Sequence, residues 1–68
     1  MENMVKVLKE KSGVLVLDVA ERGCLIPAGT FVKIQAVAIN KDLSVRVIGP
    51  ETTARLNYYD TDIDELVH

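Results

Sequence analysis

Residues 26–66 alternate short aliphatic runs with turn residues at a spacing that suits strands and little else. The stretch opens Ile26-Pro27-Ala28-Gly29-Thr30, continues as the run Phe31–Ile39, and breaks at the polar triplet Asn40-Lys41-Asp42. Residues 43–48 form the next run, Gly49-Pro50 interrupts, and a last run reaches Tyr59 before Asp60-Thr61-Asp62-Ile63-Asp64-Glu65-Leu66. Short strands separated at regular intervals by turn signals are the pattern of a small barrel or sandwich. The expectation is an all-β fold: a small closed barrel of about five strands with a short C-terminal helical turn.

The run Phe31–Ile39 does not alternate cleanly. Val32 and Ile34 share one phase, whereas Val37 and Ile39 sit in the other. One extra residue near Gln35-Ala36, a β-bulge, would turn all four inward, and bulges supply the bending that small barrels need. Residues 43–48 are plainer, with Leu43, Val45 and Val47 inward and Ser44 and Arg46 outward. Residues 52–59 place Ala54, Leu56 and Tyr58 on one face and Thr53, Arg55, Asn57 and Tyr59 on the other. Beyond them, Asp60, Thr61 or Asp62 can cap one helical turn, whose Ile63 and Leu66 would plug an end of the core.

Upstream, Ser12-Gly13 separates two apolar segments, which predicts a first hairpin of residues 4–10 and 14–20. Val14-Leu15-Val16-Leu17 is apolar on both faces, so each side needs cover. Glu21-Arg22-Gly23 ends that strand, and Cys24-Leu25-Ile26-Pro27-Ala28-Gly29 reads as a connecting loop in which Pro27 and Gly29 launch the next strand.

Pro27-Ala28-Gly29-Thr30 opening a strand, two further strands, and the closing acidic turn with Ile63 and Leu66 resemble a Src-homology-3-like barrel of the KOW type or a related prokaryotic module. The resemblance covers roughly residues 26–66. It implies an SH3-like barrel and carries no catalytic signature. Asn40-Lys41-Asp42 lacks the glycine that a KOW unit has at its second turn, and the clustered aromatics of proline-binding domains are absent. Fold likeness does not transfer function.

Sixty-eight residues make a single domain, 1–68. A chain this short buries only about 60% of the surface its unfolded form exposes. Yet 49% of its residues are hydrophobic and only 4% aromatic. Such an aliphatic excess is compatible with a filled monomeric core or with self-association that covers what one core cannot.

The net charge is −2, but four acids (Asp60, Asp62, Asp64 and Glu65) fall in the last nine residues, which hold no Lys or Arg. The rest carries eight cations against six acids. A mildly basic body is a weak polyanion binder, because such affinity needs several phosphates neutralised together. Nucleic acid is therefore the secondary partner class and protein, or the chain itself, the first.

Catalysis has little to stand on. Cys24 and His68 are the only nucleophile and base of their types, nothing in the sequence brings them together, and Cys24 reads as a small buried apolar side chain. Asp60-x-Asp62-x-Asp64 begins like a calcium loop but has Glu65 where the glycine belongs. No metal and no cofactor are expected, and no enzyme activity. The longest apolar run, residues 14–17, is far below the ~20 that a membrane span needs, and no leader pattern is visible, so the expected compartment is the cytoplasm.

The candidate binding residues are Lys33, Arg46, Arg55 and Tyr59, all on outward phases, with Asn57 close by. An aromatic ring beside guanidinium groups can hold an acidic peptide, a carboxylate or a base. The plain alternative is a solvated face on which the charges only aid solubility. From another class, the same four residues would serve a nucleic-acid-associated protein, with Lys33, Arg46 and Arg55 on phosphates and Tyr59 stacked on a base. A third possibility is a regulatory protein that presents the acidic terminal turn to a basic surface.

Overall fold

A computed structural model describes residues 4–68. The chain is mostly β: strands β1 (Val5–Val14), β2 (Val19–Glu21), β3 (Cys24–Ile26), β4 (Phe31–Ile39), β5 (Asp42–Ile48) and β6 (Thr53–Asn57) precede a 3-10 turn (Tyr58–Asp60) and one helical turn, α1 (Ile63–Leu66). Four of the strands form one antiparallel sheet in the order β1-β4-β5-β6, and β2 and β3 pair separately.

The alternation expected for β5 and β6 holds at Val45, Val47 and Ala54, whereas Leu43, expected inward, is only half-buried and lies outside the core. Val45 and Val47, with Ala54 behind them, are buried, and Leu56 and Tyr58 pack partly buried against the same core. Val32, Ile34 and Ala36 line that face from β4. Leu15, Val19, Ile26, Ile63, Leu66 and Val67 close it from the other side. The core is almost wholly aliphatic, each buried Val, Leu or Ile contributing about 1.5–3 kcal/mol.

The predicted N-terminal hairpin does not form. Residues 5–14 are one continuous strand paired with β4, and Ser12 and Gly13 lie within it opposite Lys33 and Val32. The glycine serves close packing rather than a turn: a Cβ there would clash with the His68 carbonyl oxygen and lie 3.1 Å from the Val67 Cβ. The C-terminus occupies that place because Val14 and His68 exchange backbone hydrogen bonds of 3.1 and 3.0 Å, and the Val16 amide donates to the Leu66 carbonyl at 2.9 Å. Leu15 alone of the residue 14–17 run is buried, while Val16 and Leu17 remain exposed.

The bulge lies in β1, not in β4. Val7 pairs with Val37 and Lys9 with Ala36, so Leu8 is the extra residue, whereas β4 and β5 keep unbroken register from Lys33 to Ile39. Ala36 accordingly takes the core position, and Val37 and Ile39 fall on the opposite face. Val37 is 0% exposed yet stands apart from the core cluster.

The predicted 24–29 loop is half strand. Val19–Ile26, Ala20–Leu25 and Glu21–Cys24 pair as a hairpin. Its two turn residues, Arg22 (φ 50°) and Gly23 (φ 80°), both take the positive φ that a type I′ turn requires. The hairpin lies against β6. Cys24 is half-buried rather than fully enclosed. The next turn is as expected: the Thr30 amide donates to the Pro27 carbonyl at 3.3 Å, with Gly29 at φ 90°. A two-residue turn, Asn40-Lys41, joins β4 to β5, leaving Asp42 paired with Ile39. Asp62 caps α1 through its side chain, and Ile63 and Leu66 are buried as expected.

Among the described residues, no helix is long and apolar enough to cross a membrane.

Candidate functional site

Strand register decides which side chains the sheet turns away from the core. One row across the sheet reads Glu10, Gln35, Arg46, Arg55, because Glu10 pairs with Gln35, Gln35 with Arg46, and Arg46 with Arg55. The row toward the start of β4 reads Ser12, Lys33, Ile48, Thr53, and beyond it Val14 pairs with Phe31. On the other side lie Val7, Val37, Ser44, Asn57, and then Val5, Ile39, Asp42.

Lys33, Arg46 and Arg55 thus share the outer face, as their phases imply. What alternation alone does not reveal is that Arg46 and Arg55 are direct cross-strand partners. Directly opposed side chains have Cβ atoms roughly 4.5–5.5 Å apart, and like charges there are unfavourable. Gln35 Nε2 donates to Glu10 Oε2 at 2.7 Å, so the one acid of the row is held at its far end. Among the described residues the ion pairs are those of Asp64 with Lys9 and Lys11, and neither arginine has one.

Tyr59 stands on the 3-10 turn, 80% exposed. Its ring meets Tyr58 edge to face, with centroids 5.3 Å apart and planes at 88°. Tyr58 anchors the pair against the core while Tyr59 displays its ring. An open depression of about 670 Å³ joins Tyr59 to the outer face, lined among others by Arg22, Asp42, Ser44 and Arg55. Asn57 is committed to the turn: its Oδ1 accepts from the Tyr59 amide at 2.9 Å and its carbonyl from Thr61 Oγ1 at 2.7 Å.

The acidic terminal turn has structural duties. Asp62 Oδ1 accepts from the Asp64 amide at 3.0 Å. Lys9 Nζ donates to Asp64 Oδ2 at 2.8 Å, and Lys11 Nζ lies 3.9 Å from Asp64 Oδ1. The hydrogen bond holds the Asp64 carboxyl below the usual carboxylate range and raises the Lys9 ammonium above its own. Among the described residues, no group of three His, Cys, Asp or Glu is placed to hold a metal ion.

The free edge of β1 is guarded. Leu8 bulges out of register and Lys6, Lys9 and Lys11 punctuate the strand, two devices that discourage edge-to-edge pairing. The residues that sequence reasoning overlooked are Glu10, Gln35, Phe31 and Arg22. The outward phases of Gln35 and Phe31 are visible in β4, but Glu10 joins the row only through the long-range pairing of β1 with β4.

The chain matches no family model, no curated protein and no solved structure.

Proposed function

We propose that this chain is a non-catalytic interaction module of SH3-like architecture, which binds a protein partner or itself through the outer face of its main sheet. The observation that carries the reading is the Arg46–Arg55 cross-strand pair. Two guanidinium groups stand opposed on a half-exposed face, and neither forms an ion pair among the described residues. A local cost of this kind is expected where a surface awaits an anionic group from elsewhere. Tyr59 at the mouth of the adjoining depression adds an exposed ring of the type enriched at interfaces. The barrel-like reading draws support from the hairpin laid against β6 and the C-terminal segment paired with the end of β1.

The test is affinity capture from native-host lysate, with and without nuclease, using wild type and an Arg46→Ala/Arg55→Ala/Tyr59→Ala variant. A protein that survives nuclease and is lost with the variant supports the module and locates its face. Capture that collapses with nuclease, and weakens steeply as salt rises, replaces it with the nucleic-acid reading.

A further inference from the structure

We propose that the outer face of the β1-β4-β5-β6 sheet is self-complementary and packs on the same face of a second copy. The two copies are related by a two-fold axis parallel to the strands, so that Glu10 of each meets Arg55 of the other. This deepens the interaction-module reading and rests on it, naming the partner as another copy of this chain.

One row of the outer face carries opposite charge at its two ends. Glu10, Gln35, Arg46 and Arg55 lie side by side across four strands. Neighbouring strands are about 4.8 Å apart, so Glu10 and Arg55 are separated by about 14 Å within one chain and cannot pair there. The row is acidic at one end and doubly cationic at the other. A two-fold axis lying between the faces and parallel to the strands keeps each row at its level and reverses its order. Glu10 then faces Arg55, Gln35 faces Arg46, and every dimer gains two Glu10–Arg55 pairs.

The flanking rows accept the same operation. Ser12 faces Thr53, and Lys33 faces Ile48, along which its aliphatic stem can lie while the ammonium reaches water. Val7 faces Asn57 in the next row, whose Val37 is already fully buried within the chain and adds nothing to the contact. The alternative in-plane axis, running across the strands through this row, would stack Glu10 on Glu10 and Arg55 on Arg55. Charge therefore selects one dimer and rejects the other.

Apolar exposure on the same face gives association a driving force. Phe31 is 66% exposed, and Val5, Val7 and Val14 are exposed with it. Sheets that pack face to face lie about 10 Å apart, a gap that Phe31 and the stems of Arg46 and Arg55 can fill. Phe31, Val5, Val7 and Val14 are the part of the aliphatic excess that this arrangement covers.

The experiment is sedimentation equilibrium on wild type, Glu10→Arg, Arg55→Glu, the double variant, and an equimolar mixture of the two single variants, with circular dichroism confirming that each is folded. Wild type is expected to dimerise, with an affinity that falls as salt rises. Each single variant confronts like charges twice and is expected to dimerise at least about tenfold more weakly. The mixture restores both pairs in a heterodimer, and the double variant restores both in a homodimer. Wild type that stays monomeric at its highest soluble concentration overturns the proposal, as do single variants that dimerise like wild type or a mixture that remains monomeric. A monomeric wild type that still captures a protein through Arg46, Arg55 and Tyr59 removes the dimer and leaves the interaction module standing. A charge-dependent dimer that captures no other protein supports the dimer and removes the separate partner.

Discussion

The Asp18 carboxylate accepts a hydrogen bond from the Ala28 amide at 2.7 Å, tying the bend after β1 to the turn that launches β4. The same turn is held on its other side by the Gly29 amide, which donates to the Leu15 carbonyl at 2.9 Å. Two loops that carry little core are thus fastened to each other beside buried Leu15. Ala28 is exposed, so water can replace part of the lost bond and the low end of hydrogen-bond energies applies. Asp18→Ala is expected to cost about 1 kcal/mol and to lower Tm by roughly 4–8 °C, whereas Asp18→Asn retains an acceptor and most of the stability. Thermal unfolding checks this, and an Asp18→Ala Tm equal to wild type would mean that solvent fully substitutes for the carboxylate.

Gly13 marks the closest approach of β1 to the C-terminal backbone. The clash of an added Cβ is with a carbonyl oxygen of the main chain, which cannot swing aside as the end of a side chain could. Gly13→Ala is expected to destabilise by about 1–3 kcal/mol, as overpacking does. The His68 and Leu66 pairings must loosen with it, so amide exchange at His68 and Val16 should accelerate more than at Val45 or Val47. Uniform acceleration across the sheet would place the effect elsewhere.

These two contacts also show why the chain is only partly legible. β5 and β6 can be read because alternation and turn residues are local: Val45 and Val47 announce an inner face, and Asn40-Lys41-Asp42 a tight connection, one residue longer than the turn that forms. A capped terminal turn and the inward Ile63 and Leu66 follow from three or four residues of context, although that context leaves Asp60, Thr61 and Asp62 equally placed to cap and only the structure selects Asp62. The fate of residues 4–20 is not local. Ser12-Gly13 resembles a turn until β4 and the C-terminus are known to flank it, and only those distant segments make the glycine a packing requirement. The bulge is misplaced for a related reason: β4 keeps its alternation, with Val37 and Ile39 on the outer face, and the irregularity at Leu8 arises only where β1 pairs with β4. At the candidate site, outward phases reveal Lys33, Arg46 and Arg55 one by one. Their register, and the alignment of Glu10 with them, depend on pairings across the whole sheet.

The β2–β3 turn offers a stabilising change. Arg22 holds φ 50° without the advantage that Asn or Gly has there, and Gly23 already supplies the second positive φ. Asn-Gly is the preferred pair for a type I′ turn. Arg22→Asn is expected to raise stability by roughly 0.5–1 kcal/mol, while Gly23→Ala, strained at φ 80°, is expected to cost about 1–2 kcal/mol. Chemical denaturation of both variants measures the pair, and a lowered midpoint for Arg22→Asn would indicate that the arginine contributes a contact beyond the turn.

The Lys9–Asp64 bridge gives stability a definite pH dependence. The hydrogen bond from Lys9 lowers the Asp64 carboxyl, so its contribution is present above the unfolded carboxylate range and is lost as pH falls through the folded value. The same bond raises Lys9, so that contribution is present below the ordinary lysine range and is lost as pH rises through the folded value. The bridge therefore acts fully across neutral pH and fades toward both extremes. Both side chains are well exposed, which keeps its contribution small and sensitive to salt. A double-mutant cycle with Lys9→Met and Asp64→Asn is expected to show favourable coupling near neutral pH and low salt, diminished in high salt and abolished in strong acid. Coupling that persists unchanged in acid would mean that the two side chains interact through packing at the end of the core rather than through charge.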